Sequence, residues 1–189
     1  MGQTIELKAS DGFILTAYQA QAAGKSRGTV VLMQDAFGVN GSLTALADAY
    51  AAQGFDVLAP SLFDRVEPRL VLPYDAAGIA RGSGVCTSLG WEVPLKDVEA
   101  AVARLGGRRQ VALVGYAWGG SCAYLAASRL RNLSCVTAYY GGDIVKNLGT
   151  QASVPLQFHF AARDKTITRG NIDLIRHHNP GADVSIYPA

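Results

Sequence analysis

Val111-Ala112-Leu113-Val114 runs directly into Gly115-Tyr116-Ala117-Trp118-Gly119-Gly120, and an alanine-rich stretch follows from Ser121 to Leu130. The first four residues are all apolar, which suits a strand buried on both faces, as in a parallel sheet. The alanine-rich stretch reads as a helix. Between them, Gly115 and Gly119 have the spacing of a nucleophile elbow, G-x-S-x-G. In an elbow the middle residue sits on a sharp, strained strand-to-helix turn, and only small neighbours let strand and helix pass that close. The turn aims the middle side chain at substrate and places the next N–H, here that of Trp118, on a developing oxyanion. The middle residue is Ala117, which has no nucleophilic atom. A glycine-rich strand-to-helix turn also occurs in α/β proteins with no such role, so the rest of the chain has to decide.

Working outward, Thr29–Met33 and Phe55–Ala59 are further apolar runs, the second ended by Pro60. Val136–Tyr140, Leu156–Phe160 and Val184–Tyr187 complete the strand set. Ser42 is a candidate N-cap for a helix carrying Leu43, Leu46, Ala47 and Tyr50 at helical spacing, closed by Gly54. A weak helix broken by glycines is expected from about Asp75. Leu95, Val98, Val102 and Leu105 mark a stronger one, ended by Gly106-Gly107. Ile172–His178 is helical and stopped by Pro180 and Gly181. At the N-terminus, Ile5-Glu6-Leu7-Lys8 alternates, Asp11-Gly12 is a hairpin turn, and Phe13–Tyr18 returns. Residues 61–74 are irregular. Strands alternating with helices predict an α/β fold: a mostly parallel central sheet, an N-terminal antiparallel hairpin, and helices on both faces. No repeat or linker divides residues 1–189, so a single domain is expected.

Composition narrows the class. Of 189 residues, 49% are apolar and 17% charged, which excludes intrinsic disorder. Seventeen basic side chains against fifteen acidic ones leave +2, no footprint for nucleic acid. The basic pair Arg108-Arg109 reads as a solvated turn. Cys86, Cys122 and Cys135 form no disulfide framework or zinc motif and read as small buried hydrophobes. The N-terminus carries no signal pattern, and no apolar run reaches the roughly 18 residues of a membrane span. A cytoplasmic location is expected, with no membrane and no nucleic-acid partner.

In an open α/β sheet, ligands bind beyond the carboxyl ends of the strands. Beyond residues 29–33 comes Gln34-Asp35-Ala36-Phe37-Gly38-Val39-Asn40. Beyond 156–160 comes Ala161-Ala162-Arg163-Asp164-Lys165-Thr166-Ile167. An acid after a late strand suits the hydrolase order of nucleophile, acid, histidine; Asp is equally a common helix cap or turn residue. These segments, with Tyr50-Ala51-Ala52-Gln53-Gly54-Phe55, Ala59-Pro60-Ser61-Leu62-Phe63, the Gly115–Gly120 turn and Phe158-His159-Phe160, together resemble the dienelactone hydrolase (carboxymethylenebutenolidase) family over nearly the whole chain. The resemblance implies an α/β-hydrolase fold and a Cys-His-Asp triad that hydrolyses lactones and other activated esters without a cofactor. No metal is implied.

Carried over by position, Ala117 stands where the family has its cysteine, and Asp164 matches the triad acid. Asp35 matches a glutamate that holds the resting cysteine, one methylene shorter here. The oxyanion donors are the N–H groups of Ala36 and Trp118. The family binds a substrate carboxylate with arginines. Arg65, Arg69 and Arg81 fall in that variable region, Arg81 being the candidate substrate-binding residue, although a solvated surface role also fits each. The family's triad histidine follows a strand resembling Ser185–Ala189, and a covering C-terminal helix comes after it; the sequence shows neither. Ser121, though flanked by Gly120, lies past the turn inside the helix. His159 reads as a satisfied strand histidine, and His177-His178 as a poor metal pair at a helix end.

Two readings remain open. One is a dienelactone hydrolase-like enzyme in an inactive form, with a small ester or lactone as substrate. The other is a degenerate relative that binds a small carboxylate or ester. A monomer or weak homo-oligomer is expected, and a shared site between chains is a third possibility.

Overall fold

A computed structural model describes residues 2–107, 110–149 and 151–188. The Arg108-Arg109 turn and Ala189 lie outside them. The first elements are β1 (Gln3–Lys8), β2 (Ile14–Ala20), β3 (Gly28–Met33), α1 (Gly41–Ala52), β4 (Phe55–Pro60), α2 (Ala76–Leu89) and α3 (Glu92–Gly106). There follow β5 (Val111–Tyr116), α4 (Trp118–Arg129), β6 (Leu133–Tyr139), β7 (Leu156–Ala161), α5 (Arg169–His178) and β8 (Asp183–Tyr187), with a 3-10 turn at Ile144–Asn147.

The unbroken apolar runs are explained by where their side chains go. In β3, Val31 and Met33 enter one core, while Val30 and Leu32 enter another across the sheet. In β5, Val111 and Leu113 join the first core, and Ala112, Val114 and Tyr116 the second. Neither face of these central strands meets water, so neither needs polar residues. The larger core lies under α3, α4 and α5, and the smaller under α1.

Eight strands form one sheet in the order β1-β2-β4-β3-β5-β6-β7-β8. β1 and β2 pair antiparallel as the expected hairpin, β2 also pairs antiparallel with β4, and every other pair is parallel. This is the α/β architecture expected from the sequence, with helices on both faces.

Five local expectations are corrected. α1 is capped by Asn40, not Ser42, because the Asn40 carboxamide oxygen accepts from both Ser42 N–H (3.0 Å) and Leu43 N–H (3.1 Å). α2 runs unbroken through its glycines, capped by Asp75. Gly82 is tolerated there because the helix presses on the β3–α1 loop: a Cβ at Gly82 would lie 1.9 Å from the Ala36 carbonyl oxygen. α4 begins at Trp118 rather than Ser121, directly on the turn, and β6 begins at Leu133 rather than Val136. Cys135 is only partly buried, unlike Cys86 and Cys122.

The irregular 61–74 segment is tied down by buried charge. Asp97 on α3 is fully buried and takes the Arg65 guanidinium at 2.7–3.1 Å. Arg65 also reaches Asp11 in the β1–β2 turn at 3.0 Å and lies over the Phe13 ring. Asp64 accepts from the Thr16 N–H and hydroxyl and from Arg69 N–H, each at 2.7 Å. One short segment thus locks hairpin, α3 and β2 together.

Removing one member of a buried pair leaves a charge without compensation. Arg65→Met is therefore expected to cost about 3–5 kcal/mol in urea unfolding. At the solvent side of α2, where a Cβ on Gly84 meets nothing within 4 Å, Gly84→Ala is expected to stabilise by roughly 0.5–1 kcal/mol.

Candidate functional site

β5 delivers Ala117 at its carboxyl end, with φ 51° and ψ −114°. That is the left-handed side of backbone space, which costs a non-glycine residue about 1–3 kcal/mol. The turn holds because its backbone is paired on both sides. Ala117 N–H donates to Tyr139 O at 2.9 Å, and Ala117 O accepts from Ser121 N–H at 3.1 Å, opening α4. The flanking glycines are steric necessities. A Cβ on Gly119 would stand 2.3 Å from Gln34 O, and one on Gly115 would stand 2.1 Å from Gly119 O.

Among the described residues, neither Trp118 N–H nor Ala36 N–H donates to a protein acceptor. Trp118 is the first residue of α4, where an N–H has no intrahelical partner and the helix dipole favours negative charge. The Ala36 loop is fixed from three sides. The buried Gln34 carboxamide accepts from Leu62 N–H at 3.1 Å, Phe37 O accepts from Leu72 N–H at 3.0 Å, and α2 presses through Gly82.

A cavity of about 800 Å³ opens over this turn, lined by Ala36, Ala117, Trp118 and Asp164 together with Cys86, Trp91, Tyr140, Asp143 and Lys146. Asp164 enters it from the loop after β7. One of its oxygens accepts from Thr166 N–H and the Thr166 hydroxyl, both 2.7 Å, and from Ile167 N–H at 3.0 Å. Burial opposes the charge, but these bonds outweigh it and hold the carboxyl below its usual range. The other oxygen has no partner among the described residues. A carboxylate fixed through one oxygen, with the other open, is equipped to accept a ring N–H.

The remaining candidates lie elsewhere. Asp35 lines a smaller neighbouring cavity with Tyr74, Tyr116 and Tyr140. Its carboxylate accepts from Phe37 N–H at 2.8 Å and from the Tyr74 hydroxyl at 3.4 Å, and burial pushes its pKa up. Arg81 is exposed, pairs with Glu67 and does not line the large cavity. Arg65 is consumed by Asp97 and Asp11. Lys146 is the only basic residue lining the large cavity among the described residues, and it is paired with Asp143 at 2.6 Å. Ser121 is buried in α4, where its hydroxyl accepts from Asp143 N–H at 3.1 Å.

His159 is half satisfied rather than fully so. Its Nδ1 meets the Tyr187 hydroxyl at 2.8 Å, while buried Nε2 has no partner among the described residues. It belongs to a ladder of rings across four adjacent strands, Tyr116, Tyr139, His159 and Tyr187, with centroids 4.9, 4.3 and 5.8 Å apart. No cluster of three or more metal-ligating side chains occurs among the described residues. No helix among them is long and apolar enough to cross a membrane. The sequence alone does not single out Tyr140, Asp143 or Lys146. Their signal was their place just beyond β6, the same rule that found Asp35 and Asp164.

The chain is similar to known proteins. Residues 15–189 match the model of the dienelactone hydrolase family. A carboxymethylenebutenolidase from a Pseudomonas species is 31% identical over 180 residues, covering 89% of this chain and 75% of that protein. A carboxymethylenebutenolidase from Pseudomonas putida is 27% identical over 180 residues, covering 90% of this chain and 75% of its own length. Among solved structures, a putative dienelactone hydrolase from Klebsiella pneumoniae superposes with TM-score 0.81 at 20% identity, over 100% of this chain and 86% of that one. An esterase from Pyrococcus furiosus gives TM-score 0.74 at 12% identity, over 100% and 83% of the two chains. These two support the fold. With the family model matched across nearly the whole sequence, the chain belongs to the dienelactone hydrolase family.

Proposed function

We propose that this chain carries the site of a hydrolase for lactones or activated carboxylic esters, in a form silenced at the nucleophile. Ala117 occupies the nucleophile position, Asp164 is the triad acid, and Ala36 and Trp118 supply the oxyanion N–H groups. The observation that carries this reading is the Ala117 backbone, held at φ 51° over an open cavity. An alanine gains nothing from that strain, whereas a nucleophile gains its aim.

In the active form a thiolate at position 117 attacks the ester carbonyl. The tetrahedral oxyanion forms between the Ala36 and Trp118 N–H groups, and its collapse expels the alcohol. A histidine oriented by Asp164 protonates the leaving group and then activates water to release the acyl group. None of the three histidines of the sequence lines the cavity. This chain's own residues thus supply the oxyanion donors and the triad acid, and neither the nucleophile nor the histidine. The start of α4 also favours the thiolate there, since a helix N-terminus lowers a cysteine pKa.

A second reading keeps the cavity and drops the chemistry: the same N–H groups hold a small carboxylate or ester carbonyl. The two free donors and the 800 Å³ space favour it as much as a dormant enzyme.

The chain as it stands is expected to hydrolyse p-nitrophenyl acetate no faster than buffer. The Ala117→Cys variant is expected to release one equivalent of p-nitrophenolate in a burst and then stall, with one acetyl group per chain by mass spectrometry. A variant with no burst and no acetylation overturns the elbow assignment. Calorimetry with simple lactones and small carboxylates tests the second reading. Saturable heat supports it, and a flat titration with no thermal shift removes it.

A further inference from the structure

We propose that the small cavity bounded by Asp35, Tyr74, Tyr116 and Tyr140 is a binding site for an organic cation of the alkylammonium class. It adjoins the large cavity through Tyr140, and its filling requires no nucleophile at position 117. The space is about 160 Å³, room for a headgroup rather than a large ligand.

Three features point to a cation. First, Asp35 is a partly buried carboxylate with no Lys or Arg at ion-pair distance among the described residues. It has only the Phe37 N–H and a long contact to the Tyr74 hydroxyl. A carboxylate withdrawn from water without a countercharge is costly, and a bound cation offsets that cost.

Second, the walls are aromatic. The Tyr116 and Tyr140 rings have centroids 6.3 Å apart at 53°, and Tyr74 packs on Phe37 at 4.2 Å. Aromatic faces attract alkylammonium groups through the ring quadrupole, and several rings around one space are how such groups are recognised.

Third, the walls are held in place. Tyr116 stacks on Tyr139 at 4.9 Å, and the Asn40 amide donates to the Tyr74 hydroxyl at 2.9 Å. Tyr140 takes φ 40°, a strained conformation for a bulky side chain, and borders both this cavity and the large one. Strain of that kind persists only where the surroundings impose it, and it clusters at ligand clamps.

Other ligand classes fit less well. The start of α1 also lines this space, but Asn40 already satisfies the Ser42 and Leu43 N–H groups, and Asp35 repels an anion. A hard metal ion needs several oxygen ligands, and the space presents a single carboxylate.

The test is calorimetry of the full chain with choline chloride at low ionic strength. The neutral carbon analogue 3,3-dimethylbutan-1-ol and sodium acetate serve as comparison ligands. Choline is expected to bind saturably, with its methyl protons shifted upfield by the rings in NMR, and the alcohol at least tenfold more weakly. Asp35→Asn and Tyr74→Ala are each expected to weaken choline tenfold or more while the thermal melt stays cooperative. The proposal is overturned if choline gives no saturable heat, if the alcohol binds equally well, or if acetate competes for the same tyrosines. The ligand comparison on the unmodified chain decides the matter even if a variant fails to fold. A positive result stands whether or not any ester is cleaved at position 117.

Discussion

The structure depends on one close approach. β5 must end and α4 must begin within a single residue, beside the end of β3 and against β6. Gly115 and Gly119 make this possible, because any side chain there would occupy space already held by the Gly119 and Gln34 carbonyls. The strain this stores in Ala117 is held by backbone bonds to Tyr139 and Ser121. From it follow the direction of position 117, the free N–H of Trp118, and the seating of the β3–α1 loop that carries Ala36. The turn is therefore a property of backbone packing and does not depend on which side chain stands at position 117.

Around that approach the protein spends polar interactions on fixing loops rather than on the core. Arg65 and Asp97 clamp the 61–74 segment to α3, Asp64 clamps it to β2, and Gln34 ties it to the β3–α1 loop. Of the basic residues expected to meet a substrate carboxylate, Arg65 and Arg81 are paired elsewhere, and Arg69 does not line the large cavity. The large cavity instead presents Asp143, Asp164 and one paired lysine among aromatic and aliphatic walls. Its charges favour a neutral small molecule over an anionic one.

Much of this was legible in the sequence. Runs such as Thr29–Met33 announce strands buried on both faces, and their alternation with helical segments gives the parallel sheet. The glycine spacing pointed to Ala117 and Trp118, the rule that sites lie beyond strand ends to Asp164, and the family resemblance to Ala36, and all four line one cavity. What stayed hidden depends on contacts between distant residues. Asn40 outcompetes Ser42 as a cap through side-chain geometry. The glycines of α2 look like breaks until Gly82 is seen pressed against Ala36. Arg65 looks solvated until its buried partner Asp97 is known. Asp35, one methylene shorter than a glutamate, lies against Tyr74 instead of in the large cavity. No pattern along the chain shows that three tyrosines from separate segments meet around it.

The proposed function stands on the Ala36 and Trp118 N–H groups forming an oxyanion site beside Ala117. Titration of the isotope-labelled protein with a small phosphonate, followed by amide nitrogen–proton NMR, tests this most directly. The Ala36 and Trp118 amide signals are expected to move downfield together and saturate at one concentration, with their neighbours following more weakly. If those two amides stay still, or if the largest shifts arise at another helix start such as that of α1, the turn is only a steric junction between strand and helix, and the account is wrong.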